Sequence, residues 1–320
     1  FYDNFLNANP TPKVKIINNL QAHIDKKFKV ASTYQTTVEE ETVFGSLSFS
    51  TIEARVVDVI DVKTGLRVND DYKGLIFNEV DHPVVVGQRY KFSNNIWICY
   101  STNSIMTVTA NAYLHRCNTT MNLQDDYGNV HQEPCFIDYK ILETRIYMKE
   151  NIDVPRGRIE IKAQMNSWTN KININTRLMF DSISYRVRTR NGYDRRETFD
   201  TSTVKYRDFY AEIDNNNEYD NLELQVADYK EYNYAINTIT NLTAKINSTG
   251  VIPYSVTLDG NSVSETVTWV SSNPDIISIS SDGTYTALSV GSAVVTCIMA
   301  NKTSVSSTIN CTISDSVVYP

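Results

Sequence analysis

Apolar residues recur at every second position through most of this chain, and this spacing constrains the fold more than any other feature. Residues 43–62, 89–103, 104–118 and 136–148 alternate or run apolar, and polar turns separate them. Because successive side chains of a strand point to opposite faces, a period of two predicts strands on a core. Tyr, at 20 residues against 11 Gly and 8 Pro, also favours strands. The chain is therefore predicted to be mainly β.

One segment near the N-terminus has a helical period instead. Within residues 11–30 the apolar side chains are three or four positions apart: Ile17, Leu20, Ile24 and Phe28. Lysines occupy other faces, and Pro12 suits a first helical turn. The pattern predicts an amphipathic helix that packs against the body of the protein or against a neighbouring subunit.

Shifts in composition divide the chain into four parts. Residues around 212–237 are rich in Asn, Asp, Glu and Tyr, and charge density falls after them. Such a shift indicates a boundary between domains. We predict an N-terminal arm and helix at 1–30, a β-barrel-type region at 31–211, a linker at 212–239 and a second β-domain at 240–320.

A short motif occurs twice within the β-barrel-type region, with its copies 88 residues apart. Each copy predicts a hairpin in which Phe ends one strand and an aromatic residue lies on the return strand. A duplicated barrel unit and a chance similarity both remain open as explanations. The repeated residues are Arg89, Phe92 and Trp97, and then Arg177, Phe180 and Tyr185.

The charge balance argues against wrapping of nucleic acid. The net charge is −7, and binding to phosphates needs an excess of Lys and Arg. A local group of arginines is interleaved with acidic residues, which favours a solvated hairpin surface: Arg186, Arg188, Arg190, Arg195 and Arg196. No stretch approaches the roughly 18 apolar residues of a membrane span, and no signal peptide or membrane contact is predicted.

The five cysteines are odd in number and lack a Cys-x-x-Cys spacing, so neither a full disulfide framework nor a zinc knuckle is indicated. Free, buried thiols are the default interpretation. Cys297 and Cys311 lie in adjacent predicted strands, and both a disulfide and reduced packing remain open for them.

Patterns for metal binding and catalysis are weak. A zinc site could in principle use His115, Cys117, His131 and Cys135, but core packing is favoured. Asp125 begins an acidic loop that lacks the ligand order of a calcium site, so a hairpin turn is favoured. No phosphate-binding loop, nucleophile elbow or carboxylate pair in an apolar setting is present. The chain is expected not to be an enzyme and to carry neither cofactor nor metal.

The C-terminal part has the pattern of two facing antiparallel sheets. Six or seven short strands alternate over residues 250–314, and Trp269 is expected between the sheets. Residues 267–299 resemble the bacterial Ig-like group 2 family in their Trp strand, Ser-Ser-Asn-Pro turn, Ser-Asp-Gly turn and Gly-Ser-Ala step. The resemblance implies an Ig-like β-sandwich used as a spacer, in adhesion or in weak glycan contact. Its structural core is expected at Trp269, Pro274, Gly283, Leu288, Gly291 and Ala293.

Two stretches of the β-barrel-type region resemble neck proteins of tailed bacteriophages. Residues 87–139 contain a Trp strand pair and a Tyr-Leu-x-Arg-Cys-Asn strand, and residues 154–194 an Asn-x-Arg-x-x-Phe turn before a Tyr-x-Val strand. The resemblance implies a head-tail connector or head-closure subunit in a ring of six or twelve copies, assembled in the host cytoplasm and located in the virion neck or tail.

The expected partners follow from the two resemblances, the glycans from the Ig-like one and the others from the phage-neck one. They are other copies of the chain, portal or adaptor and tail proteins, DNA that passes without being read, and host-surface glycans at the Ig-like domain. A phage tail-tube or decoration protein with an Ig-like appendage remains an alternative, as does a bacterial cell-surface adhesin.

Overall fold

The computed structural model describes residues 12–60, 69–79, 82–102, 110–140, 157–191 and 205–315. This part of the chain is mainly β, which confirms the predicted fold class. The predicted strand residues 104–109 and 141–148, together with Arg195 and Arg196, lie outside the described residues. The chain divides into two compact units: Phe1–Leu123 with Gln132–Asp228, and Gln124–His131 with Tyr229–Pro320.

The first element described in the first unit is a helix, α1, at Pro12–Lys27. Phe28 directly after it is buried and its ring lies 5.8 Å from that of Tyr34. Gln21 donates a hydrogen bond from Nε2 to the carbonyl of Asn78 at 2.9 Å. Ile17 and Leu20 have side chains outside the described part, so the amphipathic character of the helix stays a prediction.

Six strands follow and close into a barrel in the order β1-β2-β3-β6-β5-β4. Pairing of β1 with β4 completes the closure, with Glu39 opposite Lys91. The core of this first barrel holds Leu75, Phe77, Phe92, Trp97 and Leu114. The strands are β1 Tyr34–Glu41, β2 Phe49–Asp58, β3 Tyr72–Phe77, β4 Arg89–Phe92, β5 Asn95–Thr102 and β6 Asn111–Arg116.

The next six strands form a sheet in the order β10-β11-β12-β9-β8-β7. All six contribute to one apolar core that includes Met121, Ile137, Ile161, Leu178 and Phe209. A short 3-10 helix, Thr169–Lys171, lies between β9 and β10. The strands are β7 Thr119–Gln124, β8 Val130–Lys140, β9 Arg158–Gln164, β10 Arg177–Phe180, β11 Ile183–Asn191 and β12 Tyr206–Ile213.

The two six-stranded sheets have the same topology. Adding six to each strand number of β1-β2-β3-β6-β5-β4 gives β7-β8-β9-β12-β11-β10, which is the second sheet read from its other edge. They differ at one joint, because β1 pairs with β4 whereas the described β7 and β10 do not pair. We call the second sheet the open barrel.

The segment predicted as a linker, 212–239, is divided between the two units. Residues 214–228 belong to the first unit, where Asn221 and Val226 form an isolated bridge. We call residues 214–228 the strap. Residues from 229 onward belong to the second unit, whose first strand is β13, Tyr234–Thr238.

The second unit is built from three small sheets with the orders β13-β16-β17, β14-β22-β21-β18 and β15-β20-β19. Val295 and Ile309 of the four-stranded sheet share a core with Ile277 of the third sheet. Met299 of the four-stranded sheet shares another core with Val256 of the first sheet. The remaining strands are β14 Asn241–Lys245, β15 Thr249–Val251, β16 Tyr254–Leu258, β17 Asn261–Val263, β18 Val267–Ser271, β19 Ile277–Ile279, β20 Thr284–Ala287, β21 Gly291–Met299 and β22 Ser306–Ser314.

Candidate functional site

The repeated motif forms two hairpins with the same register. β4 pairs with β5, and β10 pairs with β11, through residues that are 88 positions apart. The matching pairs are Arg89–Ile98 and Phe92–Asn95 in the first hairpin, and Arg177–Arg186 and Phe180–Ile183 in the second.

Both hairpins turn in the same way. Each has two central residues with positive φ, as the two-residue turns that match strand twist require. These residues are Ser93 (50°) and Asn94 (58°) in the first hairpin, and Asp181 (50°) and Ser182 (65°) in the second. Neither turn contains glycine, which is why the shared turn type is not evident from composition.

The agreement extends beyond the motif on both sides. The Gly87 amide donates to the Cys99 carbonyl at 2.7 Å, and the Asn175 amide donates to the Val187 carbonyl at 2.8 Å. Each return strand also has a register shift at the same place, after Cys99 and after Val187. Shared register, turn, flanking bonds and strand order favour duplication over chance similarity.

The aromatic residues of the motif pack differently in the two copies. Phe92 and Trp97 stack with their ring centroids 4.7 Å apart and their planes at 4°. Phe180 and Tyr185 are 6.1 Å apart at 56°. All four are buried, so the motif supplies one aromatic pair to each barrel core.

Arg89 is fully buried and lies between the two barrels of the first unit. Its guanidinium forms ion pairs with Glu41 on β1 and Glu133 on β8, and both carboxylates are also fully buried. Gln164 donates to Glu41 at 2.7 Å, and Asn166 donates to Glu133 at 2.9 Å. We call these five residues the Arg89 cluster. It joins strands of the closed barrel to strands of the open barrel.

Backbone contacts surround the Arg89 cluster. The Lys205 amide donates to the Val86 carbonyl at 2.8 Å, and Gln164 donates to the Gly87 carbonyl at 2.9 Å. Gly87 has φ of 98°, and a Cβ there would lie 2.0 Å from the Lys205 carbonyl oxygen. Only glycine fits this joint, because a side chain would displace the backbone of the other barrel.

Arg177 is the counterpart of Arg89 in the second hairpin, and it binds the strap. Its guanidinium pairs with Asp214 at 3.0 Å, Asp220 at 2.7 Å and Asp228 at 2.5 Å, and also donates to the Asn215 carbonyl at 2.7 Å. We call the arginine and these three aspartates the Arg177 cluster. It fastens the strap to β10.

The electrostatics of the two clusters differ. Burial lowers the pKa of Arg89, and the nearby Glu41 partly opposes this effect. For Arg177 the hydrogen bond with Asp220 outweighs burial and raises the pKa. Burial alone would raise the pKa of Asp220, but the bonds from Arg177 and from backbone amides lower it. Arg177 and Asp220 are therefore both held in their charged forms.

The strap also contacts both edges of the open barrel. Asn122 on β7 donates to the Leu224 carbonyl at 2.7 Å, and the Ser182 amide, in the β10–β11 turn, donates to Gln225 at 2.7 Å. Val226 of the strap is buried. The strap thus links β7 with the hairpin of β10, at the joint that β1 and β4 close by direct pairing.

The residues considered for zinc do not form a metal site. Among the described residues, no three His, Cys, Asp or Glu side chains are grouped so that they could hold a metal ion. His115 is buried between the rings of Tyr72, Tyr100 and Phe136 at 4.1, 4.5 and 4.8 Å, and burial lowers its pKa to about 3. A neutral imidazole in an aromatic setting is a packing residue.

The cysteines are free thiols in largely buried positions. Burial raises the pKa of Cys99 and Cys117 to about 12 and that of Cys135 well above its usual value. Cys297 lies opposite Ser307, and Cys311 lies opposite Ala293, so the two are not cross-strand partners. Protonated, buried thiols are poor nucleophiles.

The acidic loop at Asp125 is a turn closed by its own side chain. One carboxylate oxygen of Asp125 accepts bonds from the amides of Tyr127 at 2.9 Å and Asn129 at 2.8 Å. The loop belongs to the second unit, where Asn129 donates to the Asn301 carbonyl at 2.8 Å.

Two of the six residues expected in the core of the C-terminal part lie at the surface instead. Pro274 is exposed in the turn before β19. Leu288 is 46% exposed, because it follows the buried Ala287 and alternation sends it to the opposite face. Ala293 is buried on β21.

The remaining three residues expected in this core are Trp269, Gly283 and Gly291. Trp269 is half-buried, with its ring 5.6 Å from that of Tyr254. A Cβ at Gly283 would lie 3.2 Å from the indole. Gly291 begins β21, and a Cβ there would lie 2.8 Å from Ile276.

The comparison with known families points to phage. Residues 116–196 match the model of the YomX C-terminal domain, a phage-associated family with YomX from a Bacillus prophage. No curated protein matches the chain. None of the described helices has the length and hydropathy needed to cross a membrane. Fold and family match together indicate a phage-associated, mainly β protein.

The YomX match covers five of the six strands of the open barrel, together with the loop Gln124–His131 of the second unit. It runs from Arg116, the last residue of β6, through β7 to β11. It includes Glu133 of the Arg89 cluster as well as Arg177. The five residues of the Arg89 cluster are thus divided between the matched segment and the preceding closed barrel.

Proposed function

We propose that this chain is a virion structural protein of a tailed phage, a head-tail connector or head-closure subunit in a ring of six or twelve copies. Its work is mechanical, and it is not an enzyme. The match of residues 116–196 to a phage-associated family supports the setting. The neck resemblance of the sequence supports the position in the virion.

The observation that carries the proposal is the Arg89 cluster. Charged groups are costly to bury, and in some proteins a buried charge pair fixes one specific arrangement of elements. Here a buried arginine and two buried carboxylates lie at one joint between two barrels. A subunit that transmits force between neighbours needs such a fixed joint.

The fate of the reactive side chains supports a non-catalytic role. Glu41 and Glu133 pair with Arg89, and Asp220 pairs with Arg177. Catalytic acids and bases need pKa values near the working pH and a place in a cleft. The shifts found at His115 and Cys99 move both groups away from that range.

An exposed apolar surface on the first unit supports assembly with other copies. Tyr139 is 57% exposed, Ile213 is 48% exposed and Ile183 is 42% exposed. Tyr139 donates to Asp181 in the β10–β11 turn, and Ile213 pairs with Tyr185, so the three lie at one end of the open barrel. We call them the end patch. Exposed apolar side chains that lie at the same end of a barrel are candidates for a protein interface.

We further propose that the second unit is an Ig-like β-sandwich of the bacterial group 2 type. Its four-stranded sheet shares cores with two three-stranded sheets. It serves as an exposed spacer that makes weak contact with host glycans. In the neck, the chain would also contact portal or adaptor and tail proteins, while the acidic net charge lets DNA pass without sticking.

Mass measurement and negative-stain imaging of the purified full chain test the proposal. Closed rings of six or twelve copies are expected. The double variant Ile183→Asp with Ile213→Asp should weaken assembly, whereas Val251→Asp, at a 65% exposed site in the second unit, should not. Stacked hexamers would indicate a tail tube, and a glycan-binding monomer at all concentrations would indicate an adhesin. Either result would overturn the connector proposal.

A further inference from the structure

Two arginines lie on the inward side of the open barrel, at one end of its core. Arg190 on β11 is directly opposite Phe209 on β12, and residues opposite each other share a face. Arg207 is two positions from Phe209, so alternation places it on that face too. Phe209 and Ala211 are core residues. Two arginines therefore lie on the same face of the sheet as the apolar core residues, at one end of that core.

Neither arginine is neutralised by a described residue. Arg207 is only 5% exposed, its Nε has no partner, and its Nη1 reaches the Thr169 carbonyl at a long 3.4 Å. Arg190 donates to Asn173 at 2.7 Å. Within the part of the chain that the structure describes, no carboxylate lies within 4.0 Å of either guanidinium. Burial and the charge of Arg190 together lower the pKa of Arg207.

The surroundings of Arg190 and Arg207 differ from those of the other arginines described above, which have carboxylate partners. Arg89 and Arg177 are enclosed by two and three carboxylates. On the same strand as Arg190, Arg186 pairs with Asp214 of the strap and Arg188 pairs with Glu212 on β12. A buried cation without a counter-charge is costly, so an anion that supplies one gains binding energy.

A depression of about 590 Å³ opens beside the two guanidinium groups. Asn173 and Ile174 form its other walls, and Ile174 is 60% exposed. The volume exceeds what a single small anion needs, so a group attached to a larger molecule also fits. The depression gives solvent access to a cation that is otherwise buried.

We propose that Arg190 and Arg207 form a binding site for a phosphate group. Guanidinium N–H groups match the spacing of phosphate oxygens and bind them in pairs. A phosphate would supply the negative charge that the described surroundings of Arg207 lack. The phosphate can belong to a free anion or to the phosphodiester backbone of DNA, and the chemistry of recognition is the same. This site is independent of whether the chain forms a ring.

Thermal unfolding of the full chain in sodium phosphate and in sodium chloride of equal ionic strength tests the site. Phosphate should raise the Tm of the wild type, and Arg207→Met and Arg190→Gln should abolish that rise. Arg188→Gln is the matched control, because this arginine is exposed and already paired with Glu212. It should keep the rise. Arg190 is half-buried, so its variant keeps the test usable if Arg207→Met does not fold.

A second measurement separates the two phosphate sources. The anisotropy of a labelled single-stranded oligonucleotide should increase with wild type and not with Arg190→Gln if the site takes a phosphodiester. A Tm rise with inorganic phosphate but no oligonucleotide binding assigns the site to free phosphate. If neither probe distinguishes wild type from Arg190→Gln, the proposal is wrong, including the case in which a carboxylate of the chain itself fills the depression.

Discussion

Arg89 and Arg177 occupy the same position in two hairpins of equal register, and carboxylates surround both guanidinium groups. The carboxylates come from different places. One arginine receives Glu133 from the following barrel, and the other receives Asp220 from the strap. In each barrel, the arginine at this equivalent position thus binds the part of the chain that follows the barrel.

Arg177→Met should loosen the strap without unfolding the barrels. The three aspartates would lose their shared cation and repel one another, so the strap should open locally. Amide hydrogen exchange at Val226, which donates to Asn221, and at Asp228, which donates to Asp220, should become faster. Arg188→Met, which removes an exposed pair, is the control. Unchanged exchange in the strap of Arg177→Met would contradict the claim that the Arg177 cluster fastens the strap.

Acid should release the strap. Burial by itself raises the pKa of Asp214 and Asp220, but bonds and charges from Arg177, Arg186 and backbone amides lower both overall. Because the folded pKa values are the lower ones, the stabilisation is complete above the unfolded carboxyl pKa of about 4 and is lost as pH falls through the folded values.

The free energy of unfolding measured between about pH 5 and pH 2 checks this linkage. Asp220→Asn removes one titrating group and should flatten the decline. Asp126→Asn, in a loop of the second unit, is the comparison variant. An equal slope for wild type and Asp220→Asn would show that the aspartate is not linked to folding.

Substitutions at the first turn should follow backbone conformation. Ser93 has φ of 50°, which a β-branched residue adopts only with strain. Ser93→Val should lower the free energy of unfolding by about 1–2 kcal/mol, whereas Ser93→Gly should be tolerated. Urea denaturation measures both. Thr51→Val, at an exposed strand position, should be nearly neutral. Equal effects of Val at the turn and in the strand would argue against the assigned turn.

The native thiols should resist modification. Burial raises the pKa of Cys99 and Cys117 to about 12 and that of Cys297 to about 11, so these thiols stay protonated at pH 8. A thiol reagent should therefore react slowly with the folded chain and count five thiols after denaturation. Fewer than five would reveal a disulfide, and a rapid native reaction would reveal an accessible thiolate.

The alternating pattern was sufficient to predict the fold class and the positions of the repeated hairpins. It could not predict the role of the strap. Residues 214–228 look like a linker because they are polar. In the structure they accept hydrogen bonds from Asn122, Arg177 and Ser182, which are distant from them in sequence. No local periodicity encodes such bonds.

The Arg89 cluster was also beyond sequence reasoning. Glu41 ends a strand that is rich in Glu, and such residues usually face solvent. Its burial depends on the second barrel, which supplies Gln164 as a hydrogen-bond donor. The repeated Arg at 89 and 177 was the one signal in the sequence for both clusters, although it did not reveal which acids would meet them.

A double-mutant cycle of Arg89→Met and Glu133→Gln tests the central claim most directly, because it measures the coupling across the joint between the barrels. Arg89→Met alone should cost about 3–5 kcal/mol, since it leaves two carboxylates buried without a counter-charge. Lys91→Met, two positions further along the same strand but exposed, should cost at most about 1 kcal/mol. We predict a coupling energy of about 1–3 kcal/mol between Arg89 and Glu133 in urea denaturation. If the effects of the two substitutions on the free energy of unfolding add within about 0.5 kcal/mol, the Arg89 cluster does not join the two barrels as claimed.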